Sequence, residues 1–182
     1  MALRLFCALT IPGDITETLS RFMRGVSRAS WRPVDSLHVT LQFFGDVMEP
    51  DAHDLDAALE EAVGGIAPFS LTLKGAGFFG NAEPHALWIG VEHNPALHAL
   101  SAACARAARR IGVPVDGRKY SPHVTMAYLH GTTPATAQAF VQRHMLFQSR
   151  GWMVDRFGMF SSHLRKNGPS LYQEEAAYPL LG

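Results

Sequence analysis

Cysteine is scarce: two residues in 182, Cys7 and Cys104. They fall far apart, in a strand-like and a helix-like stretch. A disulfide framework and a cysteine-built metal knuckle are both disfavoured, and two buried free thiols point to a cytoplasmic protein. Long apolar runs are also missing, so no segment reads as a membrane span. The apolar start "MALRLFCALTIPGD" is cut short by Pro12-Gly13 and reads as a first strand, not a secretion signal. Net charge is absent: 16 basic and 16 acidic side chains cancel, leaving no global pull on a nucleic-acid backbone. There is no His-Glu-x-x-His and no carboxylate spaced to orient a histidine ligand, so no metal and no cofactor is expected.

The charge that is present is divided unevenly. Residues 1–83 carry 6 basic and 11 acidic side chains, and residues 84–182 carry 10 and 5. Solvated helix faces account for much of this. A basic rim near Arg118-Lys119 and Arg165-Lys166 would suit a small anionic group better than a long duplex.

The chain reads as two similar halves. "RLFCAL" (4–9) is a strand and "PGDITETLSRFMRGVS" a helix with Asp14 placed to cap it. "LHVTLQFFG" is a strand, "PDAHDLDAALEEAVGG" an acid-started helix, and "FSLTLKGAGFFG" an alternating strand. The order then restarts. "ALWIGVE" is a strand, and an Ala-rich helix comes next with Asn94 as N-cap, Pro95 in its first turn and Gly112 at its end. "KYSPHVTMAYL" is a strand, "TPATAQAFVQRHM" a helix, and "WMVDRFGMFSS" and "SLYQEEAAYPL" are closing strands. Leu5-Phe6 and Leu87-Trp88 lie 82 positions apart, and His38 and His123 lie 85 apart. A near-constant offset across several elements argues for an internal duplication. The expected architecture is α+β: one domain over 1–182 with two pseudo-symmetric lobes, repeat units near 1–83 and 84–182. Two mainly antiparallel sheets would face each other across a central groove, with helices outside. A parallel Rossmann-type sheet is the alternative.

"GAGFFG" (75–80) matches the dinucleotide-binding G-x-G-x-x-G letter for letter. It leads into a turn and a strand, however, and not into the helix whose N-terminus would hold a pyrophosphate. A bulge and the crossover between lobes explain its glycines better.

The tripeptide His-Val-Thr occurs twice, at 38–40 and 123–125, each time in an apolar run and at matching positions of the repeat. A single strand histidine is ordinarily a satisfied core or surface residue; recurrence at equivalent places is not explained that way. In a strand, residues i and i+2 share a face. His38 and Thr40 therefore emerge together, as do His123 and Thr125. Two imidazoles facing one cavity suit a reaction that needs one general base and one general acid. Two hydroxyls suit an anionic centre on which charge develops. In-line attack on a phosphodiester matches both.

These paired motifs resemble the hallmark of the 2H phosphoesterases. Within that group the chain is similar to the bacterial RNA 2′,3′-cyclic phosphodiesterases, also called 2′-5′ RNA ligases. "RLFCALTIP", "DSLHVTLQFFGDV", "RKYSPHVTM", "GAGFF", "ALWIGV" and "FSSHLRKNGPSLY" carry the likeness over nearly the whole chain. The resemblance implies hydrolysis of a terminal 2′,3′-cyclic phosphate, on RNA or a nucleotide, to a 2′-phosphate. It implies His38 as proton donor, His123 as proton acceptor, and Thr40 and Thr125 as holders of the phosphate oxygens. It also implies a reversible, ATP-independent ligation. Many close relatives carry an arginine five residues after the second histidine. Tyr128 stands there in this chain, either to pack or to stack on an unpaired base. Arg118 and Arg165 are candidates to supply the charge instead. The expected partners are RNA 3′ ends or small cyclic-phosphate nucleotides, with no membrane and with the chain a monomer.

Among the remaining histidines, His163 stands out because "SSHLRKNGPS" is a basic loop that could cover the groove. Tyr120 is a core anchor or a groove wall. Three rival functions remain open on sequence alone: opening of an ADP-ribose cyclic phosphate, cleavage of a 2′-5′ linkage in a small oligonucleotide, and RNA-end binding without turnover. Binding alone needs no matched acid–base pair, which disfavours the last.

Overall fold

The computed structural model describes all of residues 1–182. Its first strand, β1 (Ala2–Thr10), is buried continuously from Leu5 to Leu9. Unbroken burial of this kind needs cover on both faces of the strand and neighbouring strands along its edges. β1 has them, in a sheet of order β10-β9-β1-β3, with β3 at His38–Met48, β9 at Arg156–His163 and β10 at Leu171–Pro179. The second sheet has order β2-β7-β6-β5, from β2 (Ala29–Trp31), β5 (Leu73–Phe79), β6 (Ala86–Val91) and β7 (His123–Leu129). Every pairing in both sheets is antiparallel, which excludes the parallel alternative.

Each sheet draws strands from both halves of the chain. β5, from the first half, pairs with β6, and β9, from the second half, pairs with β1. The exchange ties the halves together, and the 38-residue apolar core runs through both. Four helices accompany the sheets: α1 (Gly13–Ser20), α2 (Glu49–Val63), α3 (Pro95–Arg110) and α4 (Pro134–His144). The α3 caps match the sequence: Asn94 Oδ1 accepts the Leu97 N–H at 3.1 Å, and Gly112 takes a positive φ of 82° just past the helix.

Three details depart from the sequence pattern. α1 stops at Ser20, and the chain then turns through positive φ at Gly25 and Arg28 into the short strand β2. Asp14 does not cap α1; its carboxylate instead takes two hydrogen bonds from Arg150, at 2.7 and 2.8 Å. The two long alternating segments each break into two strands. Phe69–Leu71 (β4) and Trp152–Val154 (β8) leave the main sheets and pair with each other. At the breaks the backbone carbonyls turn to outside partners: Thr72 accepts from Glu92, and Asp155 from Leu180. Period-2 alternation continues straight through such a break, so the residue pattern does not mark it.

Candidate active site

β3 and β7 carry the two His-Val-Thr triplets in matching burial. Val39 and Leu41, and likewise Val124 and Met126, are buried in the core. His38, Thr40, His123 and Thr125 face the other way and line one cavity of about 420 Å³. Each histidine sits at the start of its strand, with His38 opposite Thr10 and His123 opposite Gly90. Each is held by the same local bond. His38 Nδ1 donates to the Ser36 carbonyl at 2.8 Å, and His123 Nδ1 donates to the Ser121 carbonyl at 2.8 Å. A carbonyl can only accept, so both neutral rings carry their proton on Nδ1 and present a bare Nε2. At His38 that atom takes the Thr40 hydroxyl at 3.1 Å. Aromatic rings wall each imidazole: Phe6 and Tyr172 lie 5.1 and 5.3 Å from His38, and Phe79 and Trp88 lie 5.0 and 6.3 Å from His123.

Both strands bulge one residue after the threonine. Against β1, Thr40 faces Ala8 and Gln42 faces Cys7, leaving Leu41 without a partner. Against β6, Thr125 faces Trp88 and Ala127 faces Leu87, leaving Met126 without one. The extra residue reverses the in–out parity of the residues that follow it, as far as a second bulge at Phe44 in β3. Simple alternation would turn position five after the histidine away from the groove. After the bulge, Phe43 and Tyr128 both line it. The groove is thus two copies of one device, each with a histidine, a threonine and an aromatic ring.

Two arginines complete it, and neither was singled out from sequence. The Arg4 guanidinium lies 4.9 Å from the Phe43 ring centre and that of Arg32 lies 5.3 Å from the Tyr128 ring centre. Arg32 also donates from Nη2 to the Tyr172 hydroxyl at 3.1 Å. Its sequence signal was slight, an Arg-Pro step six residues before His38. Arg118 is not brought to the groove; its guanidinium is bound to Asp116, with Nε 2.8 Å from Oδ2. Arg165 lines a neighbouring cavity of about 330 Å³ that shares His38 and Tyr172 with the groove. In the loop before β10, Leu164 and Ser170 reach the groove, whereas His163 ends β9 and meets Ser161 Oγ at 2.9 Å. Tyr120 is an anchor: its hydroxyl donates to the Thr40 carbonyl at 2.8 Å, joining the approach to β7 to β3.

Burial lowers the pKa of His38 below the ordinary histidine value. The bond to Ser36 opposes this, and the charges of Arg32 and His123 reinforce it. His123 is lowered by burial, against the opposing bond to Ser121. These surroundings favour two neutral imidazoles near neutral pH. No carboxylate lines the cavity, and no group of three or more His, Cys, Asp or Glu side chains is arranged to hold a metal ion. A polar cavity with arginines and no acid suits an anion, and two unprotonated Nε2 atoms in the same cavity suit general acid–base chemistry on it.

Two look-alikes resolve as structure. In "GAGFFG", Gly77 lies where a Cβ would meet the Trp88 ring at 2.1 Å, and the β5–β6 register shifts between Leu73 and Ala76. A third His-x-Thr, at 130–132, has glycine in the middle and forms the turn after β7, where the buried Thr132 hydroxyl donates to the Ser27 carbonyl. The apolar residue between histidine and threonine is what marks the two groove copies.

A family model described as the 2′-5′ RNA ligase superfamily matches residues 16–166. The RNA 2′,3′-cyclic phosphodiesterase of Geobacillus stearothermophilus is 30% identical over 183 residues. That match takes in 97% of this chain, and the chain spans 57% of that relative's length. The protein of the same name from Aquifex aeolicus is 27% identical over 172 residues, covering 91% of this chain and 92% of its own. Among solved structures, E. coli LigT complexed with 3′-AMP superposes with a TM-score of 0.81 at 22% identity, covering 100% of both chains. At that identity the likeness is one of fold.

Proposed function

The chain belongs to the 2′-5′ RNA ligase superfamily, and on that footing we propose that it hydrolyses a terminal 2′,3′-cyclic phosphate, on RNA or a nucleotide, to a 2′-phosphate. Water attacks phosphorus in line with the P–O3′ bond. His123 Nε2 takes the water proton as the new P–O bond forms. His38, protonated at Nε2, gives its proton to the 3′ oxygen as P–O3′ breaks. The product carries a 2′-phosphate and a free 3′-hydroxyl, and the two histidines have exchanged protonation states. Thr40 and Thr125 hydrogen-bond the non-bridging oxygens, whose charge grows in the transition state. With a ribose 5′-hydroxyl in place of water, the same acid and base form a 2′-5′ linkage. The assignment of acid to His38 and base to His123 rests on the family resemblance.

The observation that carries this reading is the shared anchoring of the histidines. Both Nδ1 atoms are committed to carbonyls two residues upstream, so each ring in the cavity has only Nε2 left for proton transfer. The test is conversion of a 2′,3′-cyclic nucleotide to its 2′-phosphate by wild type, His38→Ala and His123→Ala. Each substitution is expected to reduce kcat/KM by about 10²- to 10⁴-fold, the usual worth of a general acid or base. Full activity in either variant would remove the reading.

A further inference from the structure

We propose that Arg32 is the anion-binding side chain of the groove, donating to a non-bridging oxygen of the bound phosphate, with Tyr128 and Tyr172 positioning its guanidinium. The proposal deepens the phosphodiester reading above and rests on it for the identity of the substrate.

The backbone holds Arg32 firmly. β2 pairs with β7 as far as Trp31 opposite Ala127. The Arg32 N–H then bonds the carbonyl of the bulged Met126 at 2.9 Å. Pro33 comes next, which confines Arg32 itself to an extended conformation. The strand that supplies Thr125 thus also fixes Arg32. The side chain crosses from the second sheet toward the first. Its guanidinium lies 5.3 Å from the Tyr128 ring centre and 5.8 Å from that of Tyr172, with one N–H on the Tyr172 hydroxyl. Two rings and one hydrogen bond define its plane and leave its other N–H groups to a ligand.

Its charge is unspent. Arg4, the other arginine lining the groove, has Asp46 at 3.9 Å, whereas Arg32 takes part in no ion pair. A guanidinium in a cavity without carboxylates waits for an anion. It is also near enough to His38 to lower that group's pKa. Burial is the larger cause of that lowering, but a phosphate on Arg32 would offset the repulsion and so favour the charged form of the proton donor. Tyr128 in this arrangement orients the arginine.

The experiment measures binding of 2′-AMP and of inorganic phosphate by calorimetry, with no turnover required. Wild type, Arg32→Met, Arg32→Gln and Arg32→Lys are compared, with Arg110→Met as a control for loss of a remote positive charge. Loss of a charge-assisted contact is expected to weaken 2′-AMP binding about 10- to 100-fold in Arg32→Met and Arg32→Gln, with partial recovery in Arg32→Lys and no change in Arg110→Met. If Arg32→Met does not fold, Arg32→Gln carries the same test. NMR titration of His38 in the unliganded protein supplies an independent readout: its pKa should rise in the neutral Arg32 variants, and addition of phosphate should shift it less than in wild type. Wild-type binding in both neutral variants, or no saturable binding of either anion by wild type, overturns the proposal. Arg32-dependent binding without hydrolysis of any cyclic nucleotide would instead remove the reading of the reaction and leave the anion site standing. Hydrolysis by wild type and both neutral variants with unchanged KM would do the reverse.

Discussion

Leu41 and Met126 are the same residue of one device built twice. Each is the unpaired position of a bulge, one step past the motif threonine, and each side chain is buried. What differs is how its carbonyl is satisfied. The Leu41 carbonyl takes the hydroxyl of Ser101, on α3, at 2.7 Å, and the Met126 carbonyl takes the N–H of Arg32 at 2.9 Å.

Ser101→Ala should therefore destabilise the protein by about 1–3 kcal/mol, because a buried carbonyl loses its donor. The same change should lower kcat, since the Leu41 bulge sets the placement of Thr40 and Phe43. Urea denaturation and steady-state kinetics check both. Unchanged stability would mean that another donor reaches the Leu41 carbonyl.

The pairing of His with Thr on one strand face, the antiparallel architecture and the groove were legible because period-2 alternation and the repeat write them directly. The bulges were not: Leu41-Gln42 and Met126-Ala127 carry no glycine or proline to announce them. Arg32 escaped for a related reason. The strand that delivers it is three residues long, too short for periodicity to register. Arg118 looked available because it precedes the second motif, yet Asp116, two residues away, supplies a nearer carboxylate. Asp14 had the right residue type for a cap, but the bond to Arg150, 136 positions distant, lies outside any local pattern.

Acid should weaken both fold and catalysis. Each groove histidine has a folded-state pKa below the ordinary 6.5. The unfolded chain then binds more protons than the folded one between that lowered value and 6.5, so stability rises with pH across the window. The contribution is fully present above 6.5 and is lost as pH falls through the folded value. Thermal unfolding from pH 7.5 to 5 should show it, and His38→Gln should flatten the slope. His38 is faced by Arg32, His123, Tyr172 and Thr40, and His123, whose pKa is also lowered, adds to the same slope.

Catalysis should depend on pH in a bell whose basic limb moves with substrate. In the free enzyme burial disfavours a charged His38, and the charges of Arg32 and His123 add to it. A bound phosphate adds negative charge and favours it. The basic limb of kcat should therefore lie at higher pH than that of kcat/KM. Coincident limbs would show that substrate charge does not reach His38.

Chelation should have no effect. Proton transfer by two imidazoles, with hydroxyl and guanidinium donors on the phosphate, needs no metal, and no set of three ligating side chains is arranged to hold one. Prolonged EDTA treatment and dialysis should leave kcat within experimental error. A loss restored by one divalent ion would require that ion to enter with the substrate phosphate.

Gly77→Ala tests how far the second histidine depends on the strand behind it. Gly77 in β5 lies opposite Trp88 in β6, and Trp88 lies opposite Thr125 in β7. A methyl group at Gly77 would fall 2.1 Å from the Trp88 ring, well inside contact distance, so the indole has to move. That ring, with Phe79, walls His123. Overpacking of this kind costs about 1–3 kcal/mol, and the displaced wall should also shift the His123 pKa and lower kcat/KM. Hydrogen-bond anchoring predicts a limit to the damage. Because the Ser121 carbonyl holds Nδ1 independently of Trp88, the variant should lose less activity than His123→Ala. Equal losses would mean that the indole wall, and not the carbonyl, orients the imidazole.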